Sequence, residues 1–143
     1  MELLIPFRIG YQYDNWERYL DTQFDSEEEV FKDKLYCRYH WIGEKQKKFL
    51  GIIPNDTELI FYWDILITVI LKFSNTNKNN LNTLHKNLTN KFKNYEKITI
   101  NKVAISKFTN KAITYWYFTK LEYTFIIYGN LTNVEIFYKI LFC

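Results

Sequence analysis

Apolar side chains recur at spacings of 3 and 4 through Leu81, Leu84, Leu88, Phe92 and Tyr95, which predicts an amphipathic helix over residues 79–95. Tyr13, Trp16, Tyr19, Leu20 and Phe24 repeat that spacing and predict a second helix over 13–24. Ser26 followed by Glu27, Glu28 and Glu29 predicts the start of a third. A hydroxyl there caps the first amides, and carboxylates sit at the positive end of the helix dipole. Val30, Phe31 and Leu35 would be its inward face. Where it ends is open, because residues 36–41 alternate well enough to form a strand.

Other segments follow a strand pattern. Residues 3–9 read as a first strand, placed at a sheet edge by Pro6. Residues 49–53 are a strand candidate ended by Pro54. The run 59–73 is rich in Ile, Phe, Tyr, Trp and Val and favours one long buried strand. A helix capped by Asp56 or Thr57 competes with it, since periodicity does not separate the two in a continuous apolar run. Residues 74–82 form a polar loop leading into the 79–95 helix. Four strand-like segments then follow at 98–105, 113–119, 121–128 and 134–142, with turn chemistry at Gly129, Asn130 and Asn133. Helices first and consecutive strands last predict an α+β fold. Its antiparallel sheet would be a C-terminal meander of three to four strands packed against two or three helices. No stretch reads as a linker, so residues 1–143 are expected to form a single globular domain.

Composition supports a packed core. Apolar residues make up 48% of the chain, with 12 Tyr, 12 Phe and 4 Trp among them. A domain of this length buries roughly 68–70% of its unfolded surface, enough to fold without a metal or disulfide staple. Cys37 and Cys143 stand alone and form neither a metal spacing nor a disulfide framework. The first residues lack a basic signal-peptide start, and the 59–73 run is shorter than the ~20 residues of a membrane span and contains Asp64. A cytoplasmic protein without membrane contact is expected. The excess of Lys, Asn and Ile over Ala, Gly and Arg matches AT-rich codons, so the preference for Lys is not read as chemistry.

Charge divides the chain. Residues 1–30 hold eight acids and two bases, whereas residues 31–143 hold eight acids and seventeen bases. Solvated helix faces account for part of the acidic excess. A docking patch accounts for it more sharply: Asp14, Glu17, Asp21, Asp25, Glu27, Glu28 and Glu29 would steer a basic partner, with Trp16 and Tyr19, and Tyr13 beside them, as aromatic anchors if exposed. The lysines after residue 71 are spread along the sequence, the usual way to solubilise a sheet. Nucleic acid is therefore not an expected partner, although Tyr115, Trp116, Tyr117 and Phe118 lie between Lys111 and Lys120.

Catalytic signatures are missing. The sequence has no nucleophile elbow, zinc-protease helix, P-loop, dinucleotide fingerprint or C-x-x-C. His40 and His85 are its two histidines, and a ribonuclease of the two-histidine kind would need both at one site. The expectation is a binding protein without cofactor, metal or catalytic residue.

A small, aromatic-rich, motif-free chain with an acidic N-terminal patch resembles the immunity proteins of bacterial toxin systems, including contact-dependent growth inhibition. The resemblance spans the whole chain as one of character, and many of those proteins are acidic overall where this chain carries +3. It implies a protein that neutralises a cognate basic toxin domain, a nuclease by preference, by covering its active or substrate-binding site. The alternatives are a phage-encoded inhibitor of a host defence complex and a small basic ribonuclease toxin using His40 or His85.

Overall fold

The computed structural model describes residues 5–21, 27–31, 34–43, 46–92 and 94–143, with the backbone alone for residues 27–31, 34, 35 and 94. Four strands precede the first helix: β1 (Glu27–Phe31), β2 (Lys34–His40), β3 (Asp56–Tyr62) and β4 (Ile65–Ser74). Helix α1 (Lys78–Lys91) follows, then β5 (Asn94–Ile100), β6 (Val103–Asn110), β7 (Ile113–Lys120), β8 (Tyr123–Gly129) and helix α2 (Leu131–Phe142). The strands form one eight-stranded sheet in the order β1-β2-β3-β4-β8-β7-β6-β5, antiparallel throughout. Each half is thus a four-strand meander followed by a helix, and the halves meet where β4 pairs with β8.

The α+β class with an antiparallel sheet holds, but the sheet is larger than a three- to four-stranded meander and the α-helices number two among the described residues. Several elements differ from the sequence pattern. Residues 59–73 are a hairpin, not one strand: β3 turns at Trp63–Asp64 into β4. Residues 98–105 likewise contain the β5–β6 turn at Asn101–Lys102. Residues 134–142 are helical, because Asn130 Oδ1 accepts the Asn133 N–H at 2.9 Å and caps α2. Glu27, Glu28 and Glu29 pair with Tyr36, Cys37 and Arg38 in a strand ladder instead of opening a helix, so Val30, Phe31 and Leu35 lie in strands too. Residues 49–53 form only a bridge between Phe49 and Ile52, and residues 5–10 form no strand.

The predicted 13–24 helix reduces, over its described part, to two 3-10 turns, Tyr13–Asn15 and Glu17–Tyr19. The cause is where its backbone groups bond. Tyr13 N–H reaches the Asp64 carbonyl (2.7 Å), the Tyr19 carbonyl accepts from Ile42 N–H (2.7 Å), and Asp21 N–H reaches the His40 carbonyl (3.0 Å). A segment whose amides and carbonyls are satisfied by neighbouring strands does not need a helix ladder.

Alternation along the strands gives the sheet two apolar faces. On one, Leu59, Val69, Leu71, Phe108, Tyr115 and Tyr128 are covered by Phe7, Trp16 and Leu20, by Trp41, Phe49 and Leu50, and by Leu84, Leu88 and Phe92 of α1. Tyr128 donates its hydroxyl to the Phe7 carbonyl at 2.7 Å, fastening the N-terminal cover to the sheet. On the other face, Ile60, Ile70, Ile105, Trp116, Phe118 and Ile127 are covered by Val134, Phe137 and Tyr138 of α2. Gly129 ends β8 against β4 so closely that a Cβ there would run into the Ile67 carbonyl. The two helices therefore clamp the sheet from opposite sides.

The chain has four glycines, and none of its described two-residue hairpin turns uses one. Trp63 (φ 52°) and Asp64 (φ 60°), like Asn101 (50°) and Lys102 (68°), both adopt left-handed backbone. That conformation suits Asn-Gly and is strained for a tryptophan. The double change Trp63→Asn, Asp64→Gly is expected to stabilise the fold by about 1–2 kcal/mol, because Trp63 is 82% exposed and little packing is lost. A rise in the urea midpoint at constant slope would check it; an unchanged or lower midpoint would refute it.

Candidate interaction surface and histidine cleft

The two 3-10 turns, held against the β3–β4 turn and residue 42, present one continuous surface. Asp14, Asn15, Glu17, Arg18, Tyr19 and Ile42 line a shallow open groove there. Tyr19 is 40% exposed and leans on Trp41 at 5.0 Å between ring centroids. Ile42 is 56% exposed beside it. Because Tyr13 N–H is bonded to the Asp64 carbonyl, the exposed Trp63–Asp64 turn borders the same surface. Asp14, Glu17 and Asp64 thus gather around Tyr13, with Arg18 among them. The Tyr13 hydroxyl is pushed up to about 12, first by burial and then by the nearby Tyr39, Glu17 and Asp64, which oppose a further negative charge.

The predicted contact residues separate into three groups. Asp14, Glu17 and Tyr19 are exposed and together. Asp21 is half-buried, and Trp16, at 7% exposure, is a core residue packed edge-on against Phe7 at 5.7 Å, so it supports the surface instead of anchoring a partner. Tyr13 is half-buried between Tyr39 and Phe61. Asp25 lies outside the described residues, and for Glu27, Glu28 and Glu29 the backbone shows a strand in place of the helix face that was expected. Trp63, Asp64 and Ile42 were missed. Trp63 and Asp64 lay inside an apolar run taken as buried; an aspartate in that run was the available signal of a turn.

A second constellation lies on the α2 face. His40 and Glu58 are opposite each other on β2 and β3, and Asp56 is two residues away on the same face. His40 Nδ1 stands 3.1 Å from Asp56 Oδ2, and Nε2 stands 3.2 Å from Glu58 Oε1. Arg38 Nη2 holds the same Glu58 oxygen at 2.9 Å. With Lys72, Phe125, Leu141 and Phe142 these groups line a cleft of about 260 Å³. Both contacts of the ring are hydrogen bonds only when both nitrogens carry protons. His40, Arg38, Asp56 and Glu58 thus form one polar cluster on this face.

His85 is on the other side of the sheet. It sits on α1 among Tyr95, Phe108 and Tyr117, with ring centroids 6.4, 6.1 and 5.3 Å away. The sheet separates the two histidines, so they do not form the acid–base pair a two-histidine ribonuclease requires. Among the described residues no group of three His, Cys, Asp or Glu could hold a metal ion, and no helix is long and apolar enough to cross a membrane. Cys37 and Cys143 are unbridged. Comparison with protein-family models, with curated proteins and with solved structures finds no match for this chain.

Proposed function

We propose that this protein is an immunity protein, a binding module that neutralises a cognate basic toxin domain, by preference a nuclease, by covering its active or substrate-binding site. The observation that supports this reading is the groove of Asp14, Glu17, Tyr19 and Ile42, whose backbone is bonded to the sheet and so is set before any partner arrives. Preorganised side chains lose less freedom on binding. Exposed carboxylates steer a cationic surface and raise its association rate, while an aromatic and an aliphatic side chain supply apolar contact at the centre. A standard interface of about 1,600 Å² would extend from this groove onto the Trp63–Asp64 turn.

The tagged protein, purified from its native host at low and at high salt, is expected to carry one basic toxin domain in stoichiometric amount. With that domain in hand, Asp14→Asn combined with Glu17→Gln is expected to slow association about tenfold at low salt and to flatten its salt dependence. Dissociation should change less. Recovery of no basic protein, or an association rate indifferent to both changes, would overturn the reading.

A further inference from the structure

The fold gathers lysines that the sequence spreads out. Residues 78–121 hold nine lysines and a single acid, Glu96. They comprise α1, β5, β6, β7 and the turns between them. Glu96 stands opposite Lys107 on β6 and is bonded to it at 3.2 Å. Both alternate with Tyr95 and Phe108, the pair that lies beneath α1, so Glu96 belongs to the α2 side of the sheet. On the α1 side this half of the molecule offers no carboxylate from its strands, and α1 itself contains none.

Helix α1 crosses this face obliquely. Three residues separate its start from the end of β4, where Ser74 pairs with Tyr123. Its C-cap, Phe92, stacks on Tyr115 of β7 at 4.5 Å, two strands in from β5. The corner of the sheet near the Asn101–Lys102 turn is left open. Lys97, Ser106 and Tyr117 form one row across β5, β6 and β7, and Thr99 and Ala104 form the next. Lys97, Thr99, Ala104 and Thr119 are exposed, and Tyr117 is half-buried beside His85. Tyr95, 40% exposed, flanks the row with one ring face on Phe108. Lys78 and Lys86 of α1 and Lys102 of the turn are exposed around it.

We propose that this open sheet corner beside α1 binds single-stranded nucleic acid, with Lys97, Lys86 and Lys102 on phosphates and Tyr95 and Tyr117 as stacking surfaces for bases. A cationic surface without opposing carboxylates complements a phosphate chain. Aromatic rings on an antiparallel sheet, reachable from solvent, take unstacked bases, which a duplex does not present. The surface lies across α1 from the acidic groove: Asn87 of α1 bonds the Leu50 carbonyl at 2.9 Å on the groove's side of the helix. The two sites therefore stand or fall separately.

Fluorescence anisotropy of the whole protein with fluorescein-labelled oligo-U RNA, oligo-dT and a DNA duplex, each of about 12 nucleotides per strand, tests this. Single strands should bind with a micromolar Kd at 50 mM salt and weaken towards 200 mM with a log–log slope of about −2, the value for three phosphate contacts. Lys97→Glu with Lys86→Glu should weaken binding at least tenfold and reduce the slope. Tyr95→Leu, which keeps an apolar contact on Phe108 but removes the ring, should weaken it about fivefold with the slope intact. RNA bound more tightly than DNA, or the reverse, identifies which strand is the ligand. No anisotropy change at 50 mM salt would overturn the proposal. Equal binding of duplex and of inorganic polyphosphate, with Tyr95→Leu neutral, would also overturn it, since that is the behaviour of any cationic surface.

Discussion

Phe137→Ala is expected to remove about 3–5 kcal/mol of stability, the range for a large buried aromatic cut to a methyl. Phe137 is fully buried at the middle of α2 and meets Tyr36 of β2 edge-on, with centroids 5.1 Å apart. It is thus the contact through which the C-terminal helix grips the N-terminal half of the sheet. Among the described residues, Trp116 Nε1 and Tyr138 Oη are buried in the same cluster with no hydrogen-bond partner, each a cost of roughly 1–3 kcal/mol. With a total stability of about 5–15 kcal/mol, the variant would be marginal at best. Urea unfolding followed by tryptophan fluorescence would show the midpoint falling steeply. A loss below about 1 kcal/mol would mean that α2 is not gripping the sheet through this ring.

Raising the pH is expected to leave the fold intact to about pH 10 and to unfold it before about pH 12. The unfolded chain's tyrosines ionise near 10. In the fold, burial pushes Tyr115 up to about 12. Burial and the adjacent Tyr115 hold Tyr128 well above its ordinary value. A tyrosine whose folded pKa is raised favours the fold fully below the unfolded value and loses that contribution as the pH climbs towards the folded one. For Tyr115 the two-unit difference is about 2–3 kcal/mol by pH 12. Tyr128 acts in the same direction. Far-UV circular dichroism against pH would show one cooperative loss above pH 10, and Tyr115→Phe would move its midpoint upward. Unfolding complete by pH 9, or a fold that survives pH 12.5, would contradict this account.

Sequence patterns worked where one periodicity ran long enough and its ends were marked. The 3–4 spacing of Leu84, Leu88 and Phe92 found α1, whereas alternation in 36–41 offered β2 only as an alternative to a continuing helix. They failed at turns made without glycine. Trp63–Asp64 and Asn101–Lys102 interrupt apolar runs with residues that give little turn signal, apart from Asn101, so two hairpins were read as single strands. In α2 the 3–4 spacing of Val134, Phe137, Tyr138 and Leu141 was present, yet the preceding Gly129–Asn130 was read as a hairpin turn instead of a strand end and an N-cap. The same spacing misled at 13–24, where tertiary hydrogen bonds replaced the helix ladder. In the candidate surface, nearness along the chain was enough to group Asp14, Glu17 and Tyr19. It gave no hint that Ile42 and the Trp63–Asp64 turn join them, since that grouping depends on backbone bonds across tens of residues. The lysine-rich corner was hidden for the same reason: α1 and three strands bring together charges that are regularly spaced along the sequence.

Six of the seven strand pairings join neighbours in the sequence, and only β4 with β8 does not. That single pairing sets the kinetics of assembly. Hairpins form in roughly microseconds from local contacts. Each meander can therefore sample its register early, with its helix as yet undocked. Setting Val69 opposite Tyr128 closes a loop that contains α1 and three further strands, and the entropy of that closure precedes any reward from the two cores. The β4–β8 seam is accordingly the expected centre of the folding transition state, which φ-values at Val69 and Ile127 would test. Weakened contacts there slow folding, whereas weakened contacts in the outer hairpins mainly hasten unfolding.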